Sequence, residues 1–102
     1  MKEFYRGTNP VICIEVNFDT TLLEEGYVTF VQNGKIAFEK TVHECECEGN
    51  MVMCQLTQEE TLELKAGQPL KVQMRVKLTD GTIGASDIEC LVVNEIFKDG
   101  VI

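Results

Sequence analysis

Tryptophan is absent from this sequence, histidine occurs once and proline occurs twice. The absence of tryptophan excludes the Cys–Trp–Cys signature of antibody domains, and it weakens any case for glycan binding, which favours exposed aromatic rings. No apolar run approaches the about 18 residues that suggest a membrane-spanning helix. Residues 1–6 lack the apolar core of a signal peptide. We therefore expect a cytoplasmic protein that has no membrane partner.

Basic residues are also scarce, with 9 Lys and Arg against 17 Asp and Glu, so the formal net charge is -8. A surface this acidic repels phosphate, which argues against nucleic-acid partners and anionic membranes. The chain has five cysteines and no export signal. We therefore expect reduced thiols and not a disulfide scaffold. The length of 102 residues and the 44% hydrophobic content indicate one globular domain, residues 1–102, with a lead-in at 1–10.

The clearest pattern is in Leu70–Leu78, where apolar and polar residues alternate without exception. Strict period two predicts an antiparallel strand with one buried face, and Asp80-Gly81 predicts a hairpin turn after it. In the returning arm we expect Ile88, Cys90 and Val92 to face inward, after a β-bulge near residues 84–86 absorbs one residue. This register places Met74 opposite Ile88, Val72 opposite Cys90 and Arg75 opposite Asp87.

A second hairpin turns at Asn33-Gly34. Because a one-residue slip would turn a whole face of the strand toward solvent, we expect a three-residue loop, Gln32-Asn33-Gly34, with Gly34 left-handed. This loop would pair Phe30 with Ile36 and Val28 with Phe38.

Other segments complete the pattern of an all-β protein. Residues 11–18 and 41–56 predict further strands, the latter turning at Glu48-Gly49-Asn50 with Val52, Cys54 and Leu56 inward. Thr57 and Glu60 form a capping box that begins about two helical turns. The last strand should reach about Phe97, and Leu22-Leu23 should plug one end of the core. The fold class predicted is an antiparallel, immunoglobulin-like β-sandwich of about seven strands with one short crossover helix.

Chemistry-bearing residues cluster at one place only. His43, Cys45, Cys47 and Cys54 could in principle hold zinc. The alternate spacing of His43, Cys45 and Cys47 along a strand favours small packing thiols instead, with Glu44, Glu46 and Glu48 in water. No nucleophile, phosphate loop or acid–base pair stands out, so we predict no enzyme activity, no catalytic residue and no cofactor.

Motifs spread over nearly all of the chain resemble those of a known family. They are Arg6-Gly7-Thr8-Asn9-Pro10, Gln32-Asn33-Gly34-Lys35, residues 56–62, Gln73-Met74-Arg75, Asp80-Gly81, residues 85–88 and residues 98–102. In these motifs the chain resembles short proteins encoded in prophages of Gram-positive bacteria, similar to the immunoglobulin-like N-terminal domain of tail baseplate upper proteins. Baseplate proteins usually continue past this domain, and the cysteine-rich segment 45–54 departs from the family pattern.

The resemblance implies a structural module of a phage tail or baseplate that binds other tail proteins and is open to homo-oligomer formation. It would assemble in the host cytoplasm and end in the virion tail. We expect partner contacts at end loops, edge strands and a stripe of alternating methionines: Arg6, Thr8, Asn9, Pro10, Asn33, Lys35, Met51, Met53, Val101 and Ile102. Two alternatives stay open, a glycan- or cell-surface-binding sandwich and a small metal-binding protein that uses His43 and the thiols.

Overall fold

A computed structural model of the chain describes residues 3–102, which form nine strands in two sheets. The strands are β1 (Glu3–Tyr5), β2 (Val11–Glu15), β3 (Leu23–Gln32), β4 (Lys35–Thr41), β5 (Glu46–Glu48), β6 (Met51–Gln55), β7 (Leu70–Leu78), β8 (Ile83–Ala85) and β9 (Glu89–Asn94). One α-helix, α1 (Gln58–Leu62), and two 3₁₀ turns, Thr20–Leu22 and Val42–Glu44, connect them. Within residues 3–102, no helix has the length and apolarity needed to cross a membrane.

The large sheet has the strand order β1-β9-β7-β3-β4, with β8 also paired to β7, and the small sheet has the order β2-β6-β5. This arrangement matches the two sheets of an immunoglobulin-like sandwich, and α1 lies in the crossover between β6 and β7. The predicted fold class is therefore confirmed. The structure has more strands than the seven expected because β1 adds a short edge and the last strand is interrupted between β8 and β9.

One apolar core fills the space between the sheets. Strands in which apolar and polar residues alternate contribute their apolar side chains to it, as predicted. In β7, buried and exposed side chains alternate along the strand from Leu70 to Val76. The small sheet contributes Ile12 and Ile14 of β2, followed by Val16. It also contributes the predicted inward set, Val52 and Cys54 of β6 followed by Leu56. The phenyl rings of Phe30 and Phe38 stack with centroids 4.6 Å apart, which closes the core beneath β4.

The lead-in differs from its prediction because part of it is a strand. β1 pairs in parallel with β9, Phe4 lies opposite Val93, and the Phe4 side chain is buried in the core. Met1 and Lys2, which belong to the same predicted lead-in, lie outside the described residues. The first residues therefore complete the large sheet instead of only leading into it.

The register predicted for the last strand is wrong by one residue. Leu91 and Val93 are the buried residues of β9, whereas Ile88, Cys90 and Val92 are exposed. Lys71 opposes Cys90, Val72 opposes Glu89 and Arg75 opposes Ala85. The strand also ends at Asn94, short of Phe97.

The cause is the turn between β7 and β8. The amide of Leu78 donates to the carbonyl of Thr82, which encloses three loop residues, and Gly81 adopts a φ of 89°. Compared with a two-residue turn, a three-residue loop shifts the pairing by one residue. The other set of alternating side chains in the returning arm therefore faces the core. The predicted extra residue does exist, but the chain absorbs it at residues 86–88, just beyond the segment expected.

The β3–β4 hairpin also corrects its prediction. Gln32 pairs with Lys35, so Asn33-Gly34 is a two-residue turn, and both residues have the positive φ that such a turn needs. The extra residue is absorbed inside β4, because Val31 pairs with Ile36 while Phe30 pairs with Phe38. Phe38 thus reaches the core by a bulge at Ala37, and Ile36 is left exposed.

The capping box is confirmed. The Thr57 hydroxyl accepts from the Glu60 amide at 3.1 Å, and the Glu60 carboxylate accepts from the Thr57 amide at 2.8 Å. The helix is shorter than the two turns expected. Lys40 extends from β4 to the helix, with its Nζ 3.0 Å from Glu60 Oε2, so one ion pair ties α1 to the edge of the large sheet.

The predicted plug at Leu22-Leu23 is half right. Leu23 packs against the core, but Leu22 is exposed at the end of the first 3₁₀ turn. The β5–β6 turn at Glu48-Gly49-Asn50 is as predicted, since Glu48 pairs with Met51. These short elements form the end of the sandwich that lies away from α1.

Candidate functional site

Arg6 is held inside a network at the α1 end of the sandwich, although it was predicted as a partner contact. Its guanidinium donates to the carbonyls of Leu62 and Leu64 and lies 2.9 Å from the Glu95 carboxylate and 3.3 Å from that of Asp99. The hydrogen bond with Glu95 is the main reason that its pKa is raised. With 15% of its side chain exposed, Arg6 is engaged within the fold, and its role as a partner contact stays a prediction.

The residues after Arg6 are tied to the same helix. The Thr8 carbonyl accepts from the buried Thr61 hydroxyl at 2.7 Å, and the carbonyls of Asn9 and Pro10 accept from Gln55. At the other terminus the Ile102 amide donates to Gln58 at 2.7 Å. The structure therefore brings Arg6 to Pro10 and the exposed tail residues Val101 and Ile102 together around α1.

Asn33 and Lys35 lie at the exposed β3–β4 turn, next to this α1 end. The turn starts at Gln32, whose side-chain amide donates to the carbonyls of Lys65 and Gln68 and whose Oε1 accepts from the Lys65 amide. This anchoring role of Gln32 was not predicted. Its signal was present, because it is the polar residue on the inward parity of a strand that otherwise buries Val28 and Phe30.

Met51 and Met53 do not join that end. They lie on the outer face of the small sheet, where both are partly buried. Acidic side chains flank the pair, because Glu15 and Glu48 oppose Met51 and Glu46 opposes Met53. The methionine stripe is therefore a separate surface, bordered by negative charge.

A groove runs along the open side of the sandwich, and we name it the open groove. It has a volume of about 460 Å³. Its floor is the inner face of β7, and its wall is β2 with the residues that follow it: Met74, Val76 and Leu78 against Ile14, Val16 and Phe18. This volume is within the range of ligand-binding clefts, and the floor and wall of the groove are apolar, as in most such clefts.

Two strand edges border the open groove. β2 pairs only with β6 and β8 pairs only with β7, and among residues 3–102 no backbone hydrogen bond joins β2 to β8 or β9. The interruption of the last strand at residues 86–88 widens the gap between β2 and the edge formed by β8 and β9. The acidic side chains Glu15, Asp87 and Glu89 stand at its rim. An unpaired edge presents backbone donors and acceptors to any extended segment that reaches it.

Gly84 faces the open groove from the middle of β8. It lies opposite Val76, so a side chain here would point inward, and an added Cβ would sit 3.8 Å from Val76 Cγ2, an ordinary contact distance. Sequence reasoning missed this groove because its two walls are distant along the chain. The one local signal was a glycine within a strand, which often marks close approach of another backbone.

The four residues weighed as a metal site do not converge. His43 is exposed on the second 3₁₀ turn and Cys47 is exposed on the edge strand β5, whereas Cys45 and Cys54 touch. Within the described chain, no group of three or more His, Cys, Asp or Glu side chains is arranged to hold a metal ion. The expected row of thiols on the core side is therefore wrong for Cys47, because the segment turns at Val42–Glu44 before it becomes a strand.

Comparison of the chain with protein-family models, with curated proteins and with solved structures finds no match.

Proposed function

We propose that this protein is a non-catalytic interaction module, an assembly component of a phage tail or baseplate that binds other tail proteins. The observation that supports this most strongly is the open groove, whose apolar floor lies between two unpaired strand edges. The tail assignment itself rests on the sequence resemblance. An immunoglobulin-like sandwich serves many functions, so the groove and not the fold supports this function.

The occupant that fits the open groove is an extended segment of another protein. Backbone hydrogen bonds to β2 or β8 would add a strand to the sheet, and every second side chain would enter the apolar floor. Basic side chains beside those apolar residues would meet Glu15, Asp87 and Glu89 at the rim. The partner chemistry is therefore a strand that alternates apolar and basic residues.

Synthetic peptides test this proposal directly. The probe is a panel of extended peptides in which valine or isoleucine alternates with lysine or threonine, titrated against the full chain under reducing conditions. We expect saturable binding and slower amide exchange in β2 and residues 86–89. Substitution Gly84→Leu should fill the groove and weaken binding at least about tenfold, whereas Gly84→Ala, the matched control, should bind like the unmodified chain.

The opposite result is defined in the same experiment. If no peptide saturates, or if Gly84→Leu binds as well as Gly84→Ala while both have normal unfolding midpoints, the groove is not the partner site. Saturable binding of a glycan by the same sample, in the absence of peptide binding, would favour the cell-surface alternative.

The tail assignment has its own test. Phage particles from an induced culture of the host should contain this chain in a fixed ratio to other tail proteins, measured by quantitative mass spectrometry of purified particles. Particles that lack the chain would overturn the tail assignment but leave strand binding by the groove standing.

A further inference from the structure

The β5–β6 hairpin places two of the five cysteines face to face. Its register pairs Glu46 with Met53 and Cys47 with Val52, so one further residue along the strands Cys45 opposes Cys54. The two Sγ atoms lie 2.7 Å apart, and both thiols are free. Directly opposed residues of an antiparallel pair have Cα separations of roughly 4.5–5.5 Å, within the range that a disulfide bridges.

The other three cysteines have no such neighbour. Cys13 opposes Met53, Cys47 opposes Val52 and Cys90 opposes Lys71, and all three side chains are exposed. Cys47 is only a diagonal neighbour of Cys54, and diagonal positions on paired strands are about 7–8 Å apart, beyond ordinary disulfide reach. The fold therefore selects one pair out of the ten that five cysteines allow.

The two opposed thiols are not equivalent. Cys45 is half-buried at the margin of the sheet, and Cys54 is fully buried in the core. The hydrogen bond between them lowers the pKa of Cys45 and raises that of Cys54, and the charge of nearby Lys40 also favours the Cys45 thiolate. The accessible sulfur is thus the better nucleophile, and the buried sulfur retains its proton.

We propose that Cys45 and Cys54 form a reversible disulfide, closed by exchange with a low-molecular-weight disulfide such as oxidised glutathione. The Cys45 thiolate attacks one sulfur of that reagent, a mixed disulfide forms, and the first thiolate leaves. Cys54 then loses its proton to solvent and attacks Cys45 Sγ, which releases the second thiolate. Two protein thiols are oxidised and one reagent disulfide is reduced to two thiols.

The bridge would fasten the edge of the small sheet. β5 is a three-residue edge strand with every side chain exposed, and it follows a 3₁₀ turn. A disulfide from Cys45 to Cys54 would hold the start of this strand to β6 and leave the open groove untouched. The inference does not depend on the proposed function, and it adds a modification site on a different part of the sandwich.

Equilibration in glutathione redox buffers tests the proposal. Free thiols are alkylated, the chain is cleaved at glutamate, which separates Cys45 from Cys47, and the peptides are identified by mass spectrometry. We expect one intramolecular bridge, Cys45 to Cys54, with Cys13, Cys47 and Cys90 alkylated. The oxidised chain should unfold at a midpoint roughly 10 °C higher than the reduced chain, because the bridge restricts the unfolded state.

Matched variants separate pairing from simple packing. Cys45→Ser should abolish the bridge, whereas Cys47→Ser and Cys90→Ser should form it as before. Because Cys54 is buried, a serine at this position would place a hydroxyl in the apolar core, so Cys54→Ala serves as the second variant and should also prevent bridging. The proposal is overturned if no bridge forms at any glutathione ratio, or if Cys47 replaces Cys45 in the bridge.

Discussion

The large sheet contains two hairpins that each turn at an Asx–Gly pair, and they accommodate one surplus residue in different places. The β3–β4 hairpin closes with two loop residues and carries its surplus residue, Ala37, inside β4. The β7–β8 hairpin closes with three loop residues and carries its surplus at residues 86–88, where the strand breaks. The difference shows that the turn sequence alone does not determine the register.

Side-chain burial explains each outcome. In the first hairpin the bulge turns Phe38 inward onto the Phe30 ring, at the cost of leaving Ile36 exposed. In the second hairpin the break turns Leu91 and Val93 inward beside Phe4 of β1. Burial of a large apolar side chain is worth about 1.5–3 kcal/mol, which exceeds the usual differences between turn types.

The bulge in β4 and the break at residues 86–88 have different consequences for the surface. A bulge within a strand leaves the β3–β4 edge continuous, whereas the break at residues 86–88 opens the side of the sandwich. Glu89 and Asp87 at that break line the open groove. The site that we propose for partner binding therefore exists because the second hairpin absorbs its surplus residue by interrupting a strand.

The largest effect that tests this comparison is expected at Leu91. In the observed register Leu91 is buried and its neighbour Val92 is more than half exposed. Leu91→Ala should lower the free energy of unfolding by about 2–5 kcal/mol, because it leaves a cavity beside β1 and β7. Val92→Ala should change it by less than about 0.5 kcal/mol.

Urea denaturation of the two variants measures both values. Equal losses, or a larger loss for Val92→Ala, would mean that the last strand adopts the register predicted from the sequence, with Cys90 and Val92 inward. The same pair of variants thus distinguishes the two registers without a new structure.

Alternation in the sequence predicted most of the fold because some strands bury one face only. The faces of β7, β2 and β6 could be assigned, and so could the capping box, whose two partners lie three residues apart. Residues 88–93 were assigned to the wrong face, because Ile88, Cys90 and Val92 on one parity compete with Leu91 and Val93 on the other. Where both parities are apolar, contacts with distant strands decide the register.

The candidate site was less predictable than the fold. The open groove combines Ile14 and Val16 of β2 with Met74 and Val76 of β7, and no local pattern announces that these segments face each other across a gap. The network around Arg6 was not predicted for a similar reason, since its partners Leu62 and Glu95 lie far along the chain. Partner binding by the predicted residues stays a prediction.

A smaller effect should distinguish the two turns themselves. The two-residue turn needs positive φ at both Asn33 and Gly34, whereas the three-residue turn needs it only at Gly81. Asn33→Ala should therefore cost roughly 1 kcal/mol of unfolding free energy, since left-handed backbone disfavours alanine. Thr79→Ala, the matched control in the other loop, should cost less than about 0.5 kcal/mol. Equal costs in urea denaturation would contradict the assignment of the turn types.

The smallest effect is a difference in pH response. The Asp80 carboxylate accepts from the Thr82 amide at 2.9 Å, and hydrogen bonding with Thr82 lowers the pKa of Asp80. A lowered pKa means that the carboxylate stabilises the β7–β8 turn above its ordinary value of about 4, and that this contribution is lost as the pH falls through the lowered pKa. Because Asn33 does not titrate, amide exchange at Thr82 should speed up in acid, relative to the intrinsic rate, while exchange at Lys35 does not.

Asp80→Asn keeps an acceptor oxygen and should remove the titration of the Thr82 amide in NMR spectra. Parallel titration of both turns would instead mean that acid loosens the whole sheet, and the contrast between the hairpins would not hold.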